Sequence, residues 1–217
     1  MPGLDLGHAA QYESIANLRS GSQRVNAHQF WAVGCSVTVG VGVEPDQTWK
    51  AHVSEHLNLP YTDLCAEGSS ILWQSDQICQ SPIHTGDFVL WALTTQPRLP
   101  VIRDGKLMHL TPGEYAHCSD INQEFPIDLL LHPSIVYHNI QAVRRANFYC
   151  QAMGAHLLVQ SVIYDIAQAH DLYQIPRFNQ TSRGPDTWVD YGMDQLHPGP
   201  KQHKLFADQF INMIESI

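Results

Sequence analysis

A hydroxyl, a carboxylate and an imidazole stand in two short stretches near opposite ends of this 217-residue chain. Gly34-Cys35-Ser36 closes an apolar run near the start, and Asp194-Gln195-Leu196-His197-Pro198 precedes the last helix-like segment. These are the parts of an acyl-transfer machine. The hydroxyl attacks a carbonyl, the imidazole takes its proton, and the carboxylate orients the ring and stabilises its charged form. Asp and His lie three residues apart, so acid and base share one loop. Other Ser-His-Asp enzymes order the three differently or hold Asp and His much farther apart. Cys35 is a competing nucleophile, because a thiolate attacks more readily than a hydroxyl.

Such a constellation needs a scaffold that brings both ends of the chain together. Phe30-Trp31-Ala32-Val33, ending at Gly34, reads as a buried parallel strand. Residues 37–44, rich in Gly and Val, read as a loop, and Pro45-Asp46 opens a helix through about Leu57. Tyr61 to Cys65 is a second strand, and the turn Glu67-Gly68-Ser69-Ser70 leads into a helix through about Cys79. Phe88 to Leu93 is the clearest buried strand, and His156 to Ile163 is a fourth. Between them residues 134–153 form an amphipathic helix stopped by Gly154, and Lys201 to Ile217 forms the closing helix. Strands alternating with helices predict a three-layer α/β/α sandwich with a parallel sheet of about five strands. Residues 1–25 are expected to form an N-terminal extension on a single domain spanning 26–217. Residues 98–131 form an insertion of a length that suits a lid over the site.

Composition excludes several classes. A net charge of −9 with only 12 Lys and Arg argues against nucleic acid as a partner. No stretch approaches the roughly 20 apolar residues that cross a bilayer, and the first residues show no signal peptide. The five Cys form no CxxC pair and read as free thiols in a reducing compartment, so a cytoplasmic location is expected. Neither a metal site nor a cofactor is expected.

The stretch GCSVTVGVGV, then EPDQTW, a helix, and LPYTDLCAEGSS resembles the first two blocks of the SGNH/GDSL hydrolase family, and DQLHP resembles its last. The resemblance implies Ser36 as nucleophile, His197 as general base and Asp194 as its partner. It also implies an oxyanion hole built from the backbone N–H groups of Ser36 and Gly68 and an Asn after the third strand. Here that loop reads Thr94-Thr95-Gln96-Pro97-Arg98 without an Asn, leaving Thr94, Thr95 or Gln96 as side-chain donors. Cys35 replaces the family's usual Asp, and the family register turns it toward the core. Arg98 either binds an anionic group of the substrate or has an ordinary surface or ion-pair role. The implied function is hydrolysis of a small ester or an acylated carbohydrate, such as an O-acetylated sugar. The alternatives are a non-catalytic cleft for a glycan or protein partner, and acyl transfer to an acceptor other than water.

Overall fold

The computed structural model describes residues 27–94, 98–103, 105–110, 132–162, 178–179 and 188–217. The expected N-terminal extension and residues 111–131 of the insertion lie outside them. In chain order the elements are β1 (Phe30–Gly34), α1 (Ser36–Val39), a 3₁₀ turn (Pro45–Gln47), α2 (Trp49–Leu57), β2 (Tyr61–Cys65) and α3 (Ile71–Gln80). There follow β3 (Phe88–Leu93), β4 (Leu99–Arg103), β5 (Lys106–Leu110), α4 (Pro133–Met153), β6 (His156–Ser161), β7 (Phe178–Asn179) and α5 (Pro200–Glu215).

The main sheet runs β2-β1-β3-β6-β7, and all of its pairings are parallel. All five residues of β1 and all six of β3 are buried. Parallel strands covered on both faces are apolar throughout rather than alternating, which is why these runs were so plain in the sequence. Side-chain alternation divides the core in two. Trp31, Val33, Val89, Trp91, Leu93 and Val159 pack with Ile71 and Ile78 of α3 and with Ile140 and Val143 of α4. Phe30, Ala32, Phe88, Leu90 and Leu158 pack on the other face with Trp49 and Val53 of α2 and Phe206 and Phe210 of α5. The result is a three-layer α/β/α architecture.

Three details differ from the expectation. The helix expected from Pro45 begins at Trp49, after the 3₁₀ turn and the N-cap Thr48. Residues 36–39 are a helical turn rather than loop. The start of the insertion is an antiparallel hairpin, with Leu99 paired to Leu110 and Arg103 to Lys106. Its turn holds Gly105 at φ +72, a backbone conformation that favours glycine. The hairpin leans on the first turns of α3. Arg98 Nη1 donates to the Ser69 carbonyl at 3.4 Å, and the His109 ring meets Trp73 edge-on at 5.3 Å.

Counted by main-sheet strands, the order is 2-1-3-4-5, so the chain reverses direction across the sheet between β1 and β3. Ligands of open α/β sheets bind in the crevice outside the C-terminal strand ends at such a reversal. Ser36 stands two residues beyond β1, at that crevice.

Candidate active site

Packing fixes the turn that bears Ser36. Cys35 is 0% exposed within the core on the α2 and α5 side, and Ser36 is 9% exposed. Gly34 makes the turn possible. A Cβ there would come within 2.1 Å of Thr38 Oγ1 and 2.9 Å of the Ala92 carbonyl. Ser36 is the first residue of α1, so its N–H has no acceptor within the helix and is left for something else.

Polar contacts fix the turn after β2. Ser69 Oγ donates to the Gly34 carbonyl at 3.0 Å and accepts from Gln74 Nε2 at 2.9 Å. Gln74 Oε1 in turn accepts from the buried Trp91 Nε1 at 2.6 Å. Gly68, at φ +68, therefore lies in a loop tied to the end of β1 and, through Gln74, to the middle of β3. This tie was not foreseen. Ser69-Ser70 read only as a turn and helix start, and Ser70 does cap α3 by accepting from Trp73 N at 3.2 Å.

The second half of the site comes from the loop before α5. Asp194 Oδ1 accepts from the backbone N–H groups of Leu196 at 3.0 Å and His197 at 3.1 Å, which folds the tight turn between the two side chains. Its other oxygen, Oδ2, lies 2.5 Å from His197 Nδ1. On the far side of the ring, His197 Nε2 lies 2.9 Å from Ser36 Oγ. The three side chains thus form one hydrogen-bonded row from residues 161 positions apart in sequence. Burial raises the Asp194 pKa, but the bonds from the His197 ring and the two backbone N–H groups outweigh it and hold it down at about 2. The carboxylate is therefore charged at any ordinary pH, which fixes a proton on His197 Nδ1 and leaves Nε2 to accept from Ser36.

Distant residues hold this loop in place. Met193 N donates to the Gly42 carbonyl at 2.7 Å, and Gly192 N to the His197 carbonyl at 2.8 Å. Gly42, at φ +88, is pressed so closely that a Cβ on it would lie 2.8 Å from Asp194 Oδ1. Gln195 takes the left-handed conformation at φ +56, with its N–H on the Gly192 carbonyl at 3.0 Å. Asp190 caps α5 from nine residues before the N-cap Gly199, accepting from Lys201 N at 3.0 Å and Gln202 N at 2.8 Å. Sequence inspection missed Asp190 because helix caps are sought next to the helix. The Gly-rich 37–44 stretch did carry a signal for the Gly42 contact.

The remaining candidates divide. Thr94 is buried at the end of β3, and its hydroxyl has no hydrogen-bond partner. Thr95 and Gln96 lie outside the described residues. Among the thiols, burial first of all raises the Cys65 and Cys150 pKa values to about 12, so both stay protonated. His52 and His56 share the i, i+4 spacing of a metal-binding pair, against the expectation that the sequence holds none. His56 Nε2, however, lies 3.1 Å from Glu215. Among the described residues no three His, Cys, Asp or Glu side chains gather as metal ligands, and no helix is long and apolar enough to cross a membrane.

No family model matches the sequence, and no curated protein matches it. Solved structures do resemble the fold. A carbohydrate esterase, whose active site is described as displaying divergent catalytic and non-catalytic binding functions, is 12% identical with a TM-score of 0.53, over 88% of this chain and 69% of that one. The psychrotrophic esterase EstA from Pseudoalteromonas sp. is 12% identical with a TM-score of 0.48, over 87% of this chain and 97% of its own. TesA is 11% identical with a TM-score of 0.49, over 87% and 98%. At these identities the likeness is one of fold.

Proposed function

We propose that this protein is a serine hydrolase of carboxylic esters, acting through an acyl-enzyme on Ser36. The observation that carries this is the row Ser36 Oγ, His197 Nε2, His197 Nδ1, Asp194 Oδ2, closed by contacts of 2.9 and 2.5 Å. In the first half-reaction Ser36 Oγ attacks the ester carbonyl while His197 Nε2 takes its proton. The same nitrogen then gives the proton to the departing alcohol oxygen. Asp194 remains a carboxylate and stabilises the imidazolium. Water, deprotonated by His197, then attacks the acyl-enzyme, and Ser36 leaves with its proton restored.

The oxyanion that forms in each half-reaction is assigned to the N–H groups of Ser36 and Gly68. The helical turn supports the first donor, since it leaves the Ser36 N–H without an acceptor. Thr94 is a third donor candidate on the strength of its buried hydroxyl without a partner. Thr95 and Gln96 stay candidates on sequence grounds alone. Cys35 is assigned a packing role, in keeping with its full burial. An acetyl or other short acyl group on a small alcohol or sugar is the proposed substrate class.

Turnover of 4-nitrophenyl acetate tests the assignment. Ser36→Ala and His197→Ala should each lose about 10⁴-fold or more, and the double variant little beyond that, because triad members act as a unit. Cys35→Ala should keep most of the rate. Loss in Cys35→Ala with retention in Ser36→Ala reverses the nucleophile assignment.

One observation favours a second reading, a cleft that binds an acylated glycan without cleaving it. The loop after β3 lacks the Asn that the family resemblance calls for. Losing one oxyanion donor costs about 10²–10³ in rate. Binding of acetylated sugars with no turnover of any short ester would decide for it.

A further inference from the structure

We propose that Arg98 is an anion-binding residue at the rim of this site, and that the ester cleaved by Ser36 carries a carboxylate. The inference rests on the hydrolase reading above. Arg98 follows β3 by five residues, at the edge of the sheet where Ser36 lies. Its side chain is half-buried, and its Nε is buried with no hydrogen-bond partner. Among the described residues, the one bond made by the guanidinium is the long contact of 3.4 Å from Nη1 to the Ser69 carbonyl. The ion pairs between described residues join Lys50 to Asp63, Arg145 to Asp76 and Lys204 to Asp208, and the remaining two involve histidines. Arg98 takes part in none.

A guanidinium carries five N–H donors and is seldom buried without a counter-charge. Leaving its buried Nε–H without an acceptor is costly, unless a ligand completes it. Position points to the substrate as that ligand. The carbonyl that holds Arg98 belongs to Ser69, whose side chain is bonded to Gly34, two residues before the nucleophile. The planar fork of Arg matches the two oxygens of a carboxylate. A chain of net charge −9 offers anions no general attraction, so recognition falls to this local cation. A phosphate dianion would call for more than a single guanidinium.

The test compares two matched substrate pairs. In the first, 4-nitrophenyl hemisuccinate against 4-nitrophenyl butyrate, the charge sits on the acyl half. In the second, 2-acetoxypropanoate against isopropyl acetate, it sits on the alcohol half. The ratio of kcat/KM, charged over neutral, should fall about 10- to 100-fold in Arg98→Gln for one pair, the loss of a charge-assisted hydrogen bond. Arg98→Lys should recover part of it. An unchanged ratio in both pairs overturns the proposal, as does an equal fall for charged and neutral members, which would make Arg98 only a tether for the hairpin. Titration of the Arg98 Nε–H resonance with succinate separates this proposal from the hydrolase reading. If no ester is turned over, a saturable shift still supports the anion site and its absence overturns it. A tighter response to inorganic phosphate than to succinate contradicts the carboxylate assignment.

Discussion

Ser36 stands two residues beyond a strand buried along its whole length, whereas Asp194 and His197 sit on a loop whose neighbours Met193 and Leu196 are each 74% exposed. Ser36 is held by apolar packing and by the buried row Gly34, Ser69, Gln74, Trp91. Asp194 and His197 are held by backbone hydrogen bonds, by a glycine pressed against the carboxylate, and by a helix cap. Core packing withstands small perturbations at a cost in stability. A polar loop should fail differently, losing geometry and rate before it loses fold.

The sharpest break is Gly42→Val. A side chain there meets Asp194 Oδ1 within 2.8 Å and forces a disfavoured backbone. Displacing the acid by about 1 Å should cost about 100-fold in kcat/KM. Circular dichroism should show the fold retained; a loss of fold matching the loss of rate contradicts the contrast. Gln74→Leu probes the other half. It strips partners from Trp91 Nε1 and Ser69 Oγ and should cost about 1–3 kcal/mol in urea unfolding. The rate per folded molecule should fall much less than in Gly42→Val.

Asp190→Ala removes the cap of α5 and should cost about 1–2 kcal/mol, read as a lower denaturation midpoint. It should also lower kcat several-fold, because the loop bearing His197 is anchored there. The smallest effect concerns His203 in the first turns of α5. Its Nδ1 accepts from Trp49 N at 3.1 Å, joining the helix that follows the Asp194–His197 loop to the helix that follows the Ser36 turn. Burial above all pushes the His203 pKa down from 6.5 to about 4, so the folded state resists a proton that the unfolded chain accepts. The unfolded state therefore binds more protons between pH 6.5 and 4, and stability falls as pH falls through that window. His203→Gln should shrink the difference in unfolding free energy between pH 7 and 5 by on the order of 1 kcal/mol. An unchanged difference removes His203 as its source.

The strands, the long helices and the three central side chains were legible because each is written locally. Phe30 to Gly34 and Phe88 to Leu93 are unbroken apolar runs, and Asp194 and His197 fall within one tight turn. Long-range polar ties were not legible. Nothing near Ser69 announces Gln74 and Trp91, and Asp190 sits nine residues before the helix position it serves. The hairpin was hidden by Pro100, which argues against a strand although an edge pair tolerates it. The fifth strand is only two residues long, Phe178–Asn179, too short to leave a periodic signal.

The central claim is that Ser36 is an activated nucleophile, and covalent labelling tests it without knowledge of the substrate. A fluorophosphonate ester should add one phosphonyl group per chain, mapped by peptide mass to Ser36, with labelling lost in Ser36→Ala and slowed at least about 100-fold in His197→Ala. An unlabelled wild-type protein, or a label on Cys35 that persists in Ser36→Ala, would contradict it.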